Sequence, residues 1–194
     1  MSLAKKLNKI YNYGDYASWP DEERWELIEG VPYDMSPAPA LKHQKLLAVI
    51  FGEIYNYLKG KKCEVFAAPF DVLLPSGKEK HEDITTVVQP DIVVVCDSKK
   101  LVKKGCVGAP DLVVEIISPS TALKDMREKL SLYEKHKVKE YWIVHTEDNL
   151  VQIYKLIKGQ YGKPSTYSFE KPIPVSILKD VVIDLKEMIG YGEE

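Results

Sequence analysis

The sequence predicts an α/β fold in which helices flank a mixed central sheet. Two β-branched runs, 91–95 and 111–117, each follow a proline and are apolar almost throughout, which is typical of strands covered on both faces. A helical pattern follows the second run at about 121–136, and another apolar strand follows that helix at 140–144. Paired strands followed by a helix and a returning strand indicate layers of helix on sheet.

The N-terminal part contributes the first elements of this fold. Residues 3–12 favour a short helix, and the apolar runs on either side of Gly30 predict a strand, a turn and a second strand. Leucine, valine and isoleucine recur at helical spacing over about 40–59, which predicts a long amphipathic helix. Two short strands are expected at Val65–Ala67 and Phe70–Leu73.

The rest of the chain alternates between polar connections and short strands. Residues 97–109, rich in lysine, are predicted to form a loop between the two central strands. After the strand at 140–144 we expect a further strand at 150–156, edge strands within 161–169 and 181–185, and a short helix near 185–189. With 194 residues, the chain is expected to form one domain.

Composition limits the classes of protein that fit. The net charge of −2 lacks the basic excess that is a common footprint of DNA-binding domains, although lysines cluster at 59–62, 99–104 and 135–139. Those clusters could form a phosphate-facing stripe or simply solvated surfaces. Three cysteines without CxxC spacing favour neither a disulfide framework nor a structural zinc site. No signal peptide or membrane span is evident, so we expect a cytoplasmic protein.

Two carboxylates on the central strands are the first candidates for chemistry. Asp91 opens one strand, and Glu115 lies inside the apolar run VVEII of the other. A buried charge is costly unless it is paired or holds a metal, so Glu115 is either a metal ligand or a salt-bridged glutamate. If the strands pair, the two carboxylates, a backbone carbonyl and waters would suit a hard cation such as Mg²⁺, with Mn²⁺ as a substitute.

Lys129 is the third candidate. It lies on the predicted helix 121–136 at the border of the apolar stripe, from which its ammonium could reach the carboxylates and stabilise charge on a phosphate. Its spacing fits equally well with a surface pair to Asp125, four residues earlier. His43 begins the long helix and could face the same cleft or serve in capping and packing.

Three ordered strings carry a family resemblance: QPDIVVV, PDLVVEIISPST and DMREKLSLYEKHKVKEYWIV. Together with WELIEGVPYDMSPAPALKHQKLL they resemble the Uma-two-type restriction endonuclease family of the PD-(D/E)xK nuclease superfamily, over about residues 24–155. The resemblance implies the restriction-endonuclease-like fold, with its core in that range. It also implies hydrolysis of phosphodiester bonds at a bound metal.

The resemblance assigns roles to particular residues. It implies that Asp91, Glu115 and the backbone of Ile116 bind the metal and that Lys129 is catalytic. The superfamily pattern would have lysine at position 117, where this chain has isoleucine, so the resemblance implies that the lysine has moved to the helix. An N-terminal acidic residue is expected as well, and Glu29 in LIEG is the best match.

The predicted function is that of a Mg²⁺-dependent endonuclease acting on DNA. Cleavage of both strands of a duplex would suit a homodimer. The alternative is a catalytically inactive nuclease fold that serves as a nucleic-acid or protein binding module. The acidic net charge and the absence of lysine at position 117 are the reasons to keep that alternative.

Overall fold

The computed structural model describes residues 9–20, 23–35, 40–117 and 122–191, with only the backbone at 122–127. Most of the helix predicted at 3–12 falls outside these residues, and the described part, 9–12, is not helical. Elements of the first half are α1 (Tyr13–Tyr16), β1 (Trp25–Ile28), β2 (Val31–Asp34), α2 (Leu41–Leu58), β3 (Glu64–Ala67), β4 (Asp71–Leu73), β5 (Val87–Val88) and β6 (Ile92–Val95). The strand–turn–strand and the long helix are therefore confirmed.

The second half continues with the predicted order of strand, helix and strand. Its elements are β7 (Leu101–Val102), β8 (Gly105–Val107), β9 (Leu112–Ile117), α3 (Ala122–Lys135), β10 (Glu140–His145), β11 (Leu150–Ile157), β12 (Gln160–Tyr161), β13 (Ser165–Ser168), β14 (Ile173–Pro174) and β15 (Val182–Ile183). The prediction of a plain loop at 97–109 is wrong, because β7 and β8 pair there as a hairpin. The expected closing helix is a single 3₁₀ turn at Lys186–Met188.

The central sheet has the strand order β12-β11-β10-β9-β6-β3, with β13 also paired to β11. It is mixed, because β9 and β10 run parallel whereas β6 is antiparallel to β9. The parallel pair is joined through α3, as a crossover between parallel strands requires. This arrangement confirms the predicted α/β class. Among the described residues, no helix is both long and apolar enough to cross a membrane.

Alternation along the central strands creates two cores. Ile92 and Val94 pack on the side of α2, together with Leu46 and Ile50 of that helix. The intervening residues of the central strands, such as Val93, Val95 and Val113, point the other way. They pack with Leu132 and Tyr133 from the C-terminal part of α3. Since side chains alternate between the faces of a sheet, position parity decides which helix each residue meets.

A second sheet lies beside the first, in the order β2-β1-β5-β4-β8-β7. Ile28 pairs with Val31 across the β1–β2 turn, so Glu29 and Gly30 are the two turn residues. Both have positive φ, 50° and 79°, as a type I′ hairpin turn requires. The turn residues are thus fixed by the register of β1 and β2.

A disulfide joins Cys63 and Cys96, contrary to the expectation from the cysteine count. Glu64 pairs with Val95 in the β3–β6 ladder, so the two cysteines stand opposite each other one position further along. The bond therefore depends on strand pairing, which no CxxC-type spacing could reveal. Cys106 is buried and remains a free thiol.

Candidate active site

Asp91 and Glu115 come together through the pairing of β6 with β9. Ile92 pairs with Val114 in an antiparallel register, and one further step puts Asp91 opposite Glu115. Directly opposed residues of an antiparallel pair project from the same face. Asp91 Oδ2 also accepts a hydrogen bond of 2.7 Å from the backbone amide of Ile116, which fixes that carboxylate against β9.

Lys129 reaches this face from α3 and is buried. Its Nζ lies 2.9 Å from Glu115 Oε1 and 3.0 Å from Glu26 Oε1, with only 9% of its side chain exposed. The pair with Asp125 would have left it on the surface. Burial alone would lower the pKa of Lys129, but the charges of Glu115 and Glu26 outweigh burial and raise it, so the ammonium stays charged.

Glu26 is the N-terminal carboxylate of the cluster and is completely buried in β1. Its Oε1 accepts hydrogen bonds from Lys129 and, at 2.9 Å, from the backbone amide of Gln89. Its Oε2 is buried and has no hydrogen-bond partner among the described residues. Because a buried acceptor without a partner is costly, this oxygen is a candidate for bonding to a ligand or water.

Glu115 has two further features that bear on its chemistry. Its Oε1 accepts a hydrogen bond of 2.8 Å from the hydroxyl of Tyr133 in addition to the bond from Lys129. Burial raises the pKa of Glu115 to about 7; the charges of Asp91 and Glu26 act in the same direction, while Lys129 opposes them. A carboxyl group poised near neutral pH is common at functional sites.

His43 approaches the cluster from the first turn of α2. Its Nε2 lies 3.4 Å from Asp91 Oδ2. Burial lowers the pKa of His43, but the hydrogen bond and charge of Asp91, together with the backbone of Ile116, outweigh it and raise the pKa. His43 therefore contacts the cluster and is not only a helix-capping group.

Similarity to known proteins identifies the family and the fold of this chain. The crystal structure described as "a putative nuclease belonging to DUF820 from Anabaena variabilis" superimposes with a TM-score of 0.72 at 18% identity, covering 92% of this chain and 97% of that one. The family described as "Uma2: Putative restriction endonuclease" matches residues 13–186. The chain belongs to the Uma2 family. An uncharacterized protein of Synechocystis sp. is 24% identical over 144 residues, 72% of this chain and 71% of that protein.

The Uma2 membership confirms the predicted family, and the superposition confirms the fold. The structure brings together three of the four side chains predicted for the site, namely Asp91, Glu115 and Lys129, and puts the backbone of Ile116 beside them.

Glu29 does not join them. It occupies the β1–β2 turn, where 65% of its side chain is exposed, and it pairs with Lys135 at 2.6 Å. The acidic residue of β1 that meets Lys129 is Glu26, three positions earlier. Glu26 points from the strand toward α3, whereas a residue of the turn projects into solvent.

Sequence reasoning missed Glu26, Gln89 and Tyr133. A signal for Glu26 was present, because WELI contains a charged residue within an apolar run, as VVEII does. Gln89 meets the cluster through its backbone amide, which has no sequence signal. Tyr133 packs its ring among the apolar residues of α3, as its spacing indicates, while its hydroxyl reaches Glu115.

Asp111 lies at the loop end directly before β9, where a carboxylate is usually solvated, but its side chain is buried. It is 6% exposed, accepts a hydrogen bond of 2.8 Å from the amide of Cys96, and pairs with Lys139 at 2.6 Å. It therefore joins the ends of β6, β9 and β10.

Within the described ranges, no group of three or more histidine, cysteine, aspartate or glutamate side chains is arranged to hold a metal ion.

Proposed function

We propose that this Uma2 protein is a divalent-metal-dependent endonuclease that hydrolyses phosphodiester bonds of DNA. The observation that carries the proposal is the convergence of Glu115 and Glu26 on the buried ammonium of Lys129, with Asp91 opposite Glu115 in the β6–β9 pair. Membership of a family of nuclease-like proteins supports the reaction class.

The charges of the cluster fit a divalent cation. Two carboxylates, Glu115 and Glu26, pair with one ammonium, and the charges of Asp91 and Glu26 both raise the pKa of Glu115. Such repulsion is relieved when a cation binds between the carboxylates. Two carboxylates with several waters are an ordinary ligand set for Mg²⁺, so a larger cluster of acidic side chains is not required.

The donor atoms also fit. Lys129 and Tyr133 both bond to Oε1 of Glu115, and the amide of Ile116 bonds to Oδ2 of Asp91. Glu115 Oε2 and Asp91 Oδ1 take no part in these bonds and would hold the metal, together with the carbonyl of Ile116. When bound, Mg²⁺ or Mn²⁺ would polarise the phosphate and lower the pKa of a coordinated water.

The chain itself supplies positioning and charge. Lys129 is held by two carboxylates at fixed distances, so its ammonium can stabilise charge that develops on the phosphate without first being ordered. Tyr133 fixes the rotamer of Glu115 through its hydroxyl. Glu26 keeps Lys129 charged and within reach. His43 holds Asp91 from the side of α2.

Plasmid nicking with Mg²⁺ or Mn²⁺ tests this proposal. We expect Asp91→Ala, Glu115→Ala and Lys129→Ala each to lower the nicking rate by at least about 100-fold, the scale of losing one preorganised charged group. Lys135→Ala and Asp148→Ala, which alter exposed residues, should nick at the wild-type rate. Wild-type nicking that persists in the Asp91 and Glu115 variants would refute the site.

One observation favours a second candidate, an inactive nuclease fold that only binds nucleic acid or protein. Lys129 is bonded to both Glu26 and Glu115, which leaves fewer of its N–H donors for a phosphate. Calorimetric titration with Mg²⁺, run beside the nicking assay, separates the two candidates. Binding of metal and DNA without turnover of any nucleic acid would favour the second.

A further inference from the structure

A groove of about 780 Å³ opens beside the candidate active site. It lies between residues 13–20 and 23–25, the connection from β3 to β4, and the β7–β8 hairpin. Its volume falls in the range of small-ligand sites, roughly 300–1,000 Å³. None of the side chains assigned above to metal binding or to catalysis lines it.

Aromatic rings form two of its walls. On one side Trp19 lies 5.7 Å from Trp25 and 5.6 Å from Tyr16, measured between ring centroids. On the other, Phe66 and Phe70 stack at 4.4 Å with an angle of 12° between their planes. Rings that line an open groove are suited to stacking on a planar ligand.

The floor of the groove is polar, and its side chains are hydrogen-bonded to one another. Gln89 donates through its amide nitrogen to the hydroxyl of Tyr16 and to Asp71 Oδ1, both at 2.9 Å. Its amide oxygen accepts from Nε and Nη2 of Arg24 at 3.3 and 3.0 Å. Arg24 has five N–H donors, so most of them take no part in these bonds, and neither does Asp71 Oδ2. Oriented donors and an acceptor therefore meet between the aromatic walls.

The charges that line the groove are mixed. Arg24, Lys103 and Lys104 are accompanied by Glu23 and Glu64 as well as Asp71. A polyanion would gain little inside such a groove, because attraction and repulsion nearly balance. A neutral, planar, hydrogen-bonding group fits it better, with an attached phosphate directed to Lys103 of the β7–β8 turn.

We propose that this groove binds an unpaired nucleobase of the nucleic-acid substrate, stacked between the aromatic walls and hydrogen-bonded to Arg24 and Asp71. The inference rests on the proposed nuclease function and narrows its substrate to strands that offer an unstacked base: single strands, ends, or duplexes from which a base has been extruded.

Gln89 connects the groove to the site of cleavage. Its side chain forms the floor of the groove, and its backbone amide donates to Glu26 Oε1. Asp91 follows two residues later, so the two lie at most about 7 Å apart along the chain. The bound base therefore belongs to a nucleotide adjacent to the phosphate held at Asp91 and Glu115.

Tryptophan fluorescence of the full chain tests the proposal without metal or turnover, because Trp19 and Trp25 line the groove. The probes are a short oligodeoxythymidylate, an abasic oligomer of equal length, the matching oligouridylate, and a blunt duplex closed by hairpins. We expect quenching and binding with the thymidylate, binding at least about tenfold weaker with the abasic strand, and weak binding of the closed duplex. The uridylate differs in its sugar and in the missing methyl group of its base, and stacking on the shared pyrimidine ring predicts an affinity similar to that of the thymidylate.

Phe70→Leu and Phe51→Leu form a matched pair. Both remove one ring of a stacked pair of partly buried aromatics, but Phe51 stacks with Tyr55 on α2, away from the groove. We expect about tenfold weaker binding of thymidylate for Phe70→Leu and wild-type binding for Phe51→Leu.

Equal affinity of the two variants, or equal affinity of the abasic and thymidylate strands, would overturn the inference. Nicking that depends on Asp91 and Glu115, without binding of the unpaired strand, would retain the nuclease and reject the groove. Base-dependent binding without nicking would retain the groove and reject the nuclease.

Discussion

Lys129 is a buried ammonium whose neighbours Glu26 and Glu115 are buried as well. Each of these charges is tolerable because the others are present, since removing one partner of a buried pair leaves an uncompensated charge. Substitution of one member of this cluster should therefore lower the free energy of unfolding more than substitution of one member of a surface ion pair. A comparison of two lysines on α3 measures the difference.

Lys129→Met should lower the free energy of unfolding at neutral pH by about 3–5 kcal/mol, because it strands two buried carboxylates. Lys135→Met breaks the exposed pair with Glu29 and should cost at most about 1 kcal/mol. Urea denaturation of both variants measures the difference. Equal costs would mean that Lys129 is not held between the carboxylates as described.

The pKa of Glu115 predicts how stability depends on pH. Burial raises that pKa from 4.5 to about 7, so between these values the folded chain keeps a proton that the unfolded chain has released. Stability must therefore fall as the pH rises through this window.

Glu115→Gln removes that titration. We expect the wild type to lose stability relative to Glu115→Gln between about pH 4.5 and 7, by on the order of 3 kcal/mol, in buffer with a chelator. Urea unfolding at several pH values measures this. A difference that stays constant across the window would show that Glu115 is ionised throughout it.

At the scale of elements, two glycines should respond in opposite ways to substitution by alanine. A Cβ at Gly105 in β8 would lie 1.9 Å from the backbone oxygen of Asp71 in β4, whereas at Gly52 in α2 nothing lies within 4 Å. Gly105→Ala should therefore force β4 and β8 apart and destabilise the chain, while Gly52→Ala should stabilise it by about 1 kcal/mol through helix propensity. Thermal unfolding of the two variants measures both signs. Similar melting temperatures would contradict the close contact of β4 with β8.

The elements that could be predicted are those whose signal is local. α2 follows from helical periodicity, β6 and β9 follow from nearly continuous apolar runs, and Asp91 and Glu115 stand out as charges on those runs. The β7–β8 hairpin was missed because strands of two and three residues lack a pattern. Glu29 was predicted and Glu26 was overlooked, because motif matching does not show that the acidic residue facing α3 lies in β1 and not in the turn.

At the scale of the whole molecule, Glu140 fastens the C-terminal segment to the central sheet. Its buried carboxylate accepts hydrogen bonds from the indole of Trp142 at 2.6 Å and from the amides of Ser176 and Ile177 at 3.1 and 2.9 Å. The same C-terminal segment adds Ile173, Val175 and other apolar residues to the core on the side of α2. The two oxygens of one buried carboxylate thus hold the C-terminal segment against the central sheet.

Glu140→Gln would turn an amide N–H₂ toward donors that need an acceptor, and should cost about 1–3 kcal/mol. Hydrogen exchange should become faster throughout residues 173–188, as expected if the segment opens as a unit. Glu147→Gln, at an exposed position, serves as the control. Unchanged exchange in Glu140→Gln would contradict the fastening role.

The location of Lys129 on a helix limits how this family can vary in length. A lysine two residues beyond Glu115 on β9 would keep its side of the sheet whatever happened downstream. On α3, deletion of one residue between 122 and 128 turns Lys129 by about 100° and moves it about 1.5 Å along the axis. Its ammonium would then leave Glu26 and Glu115. Relatives that use this lysine should therefore lack insertions and deletions in that part of α3, while the surface loops remain free to change length.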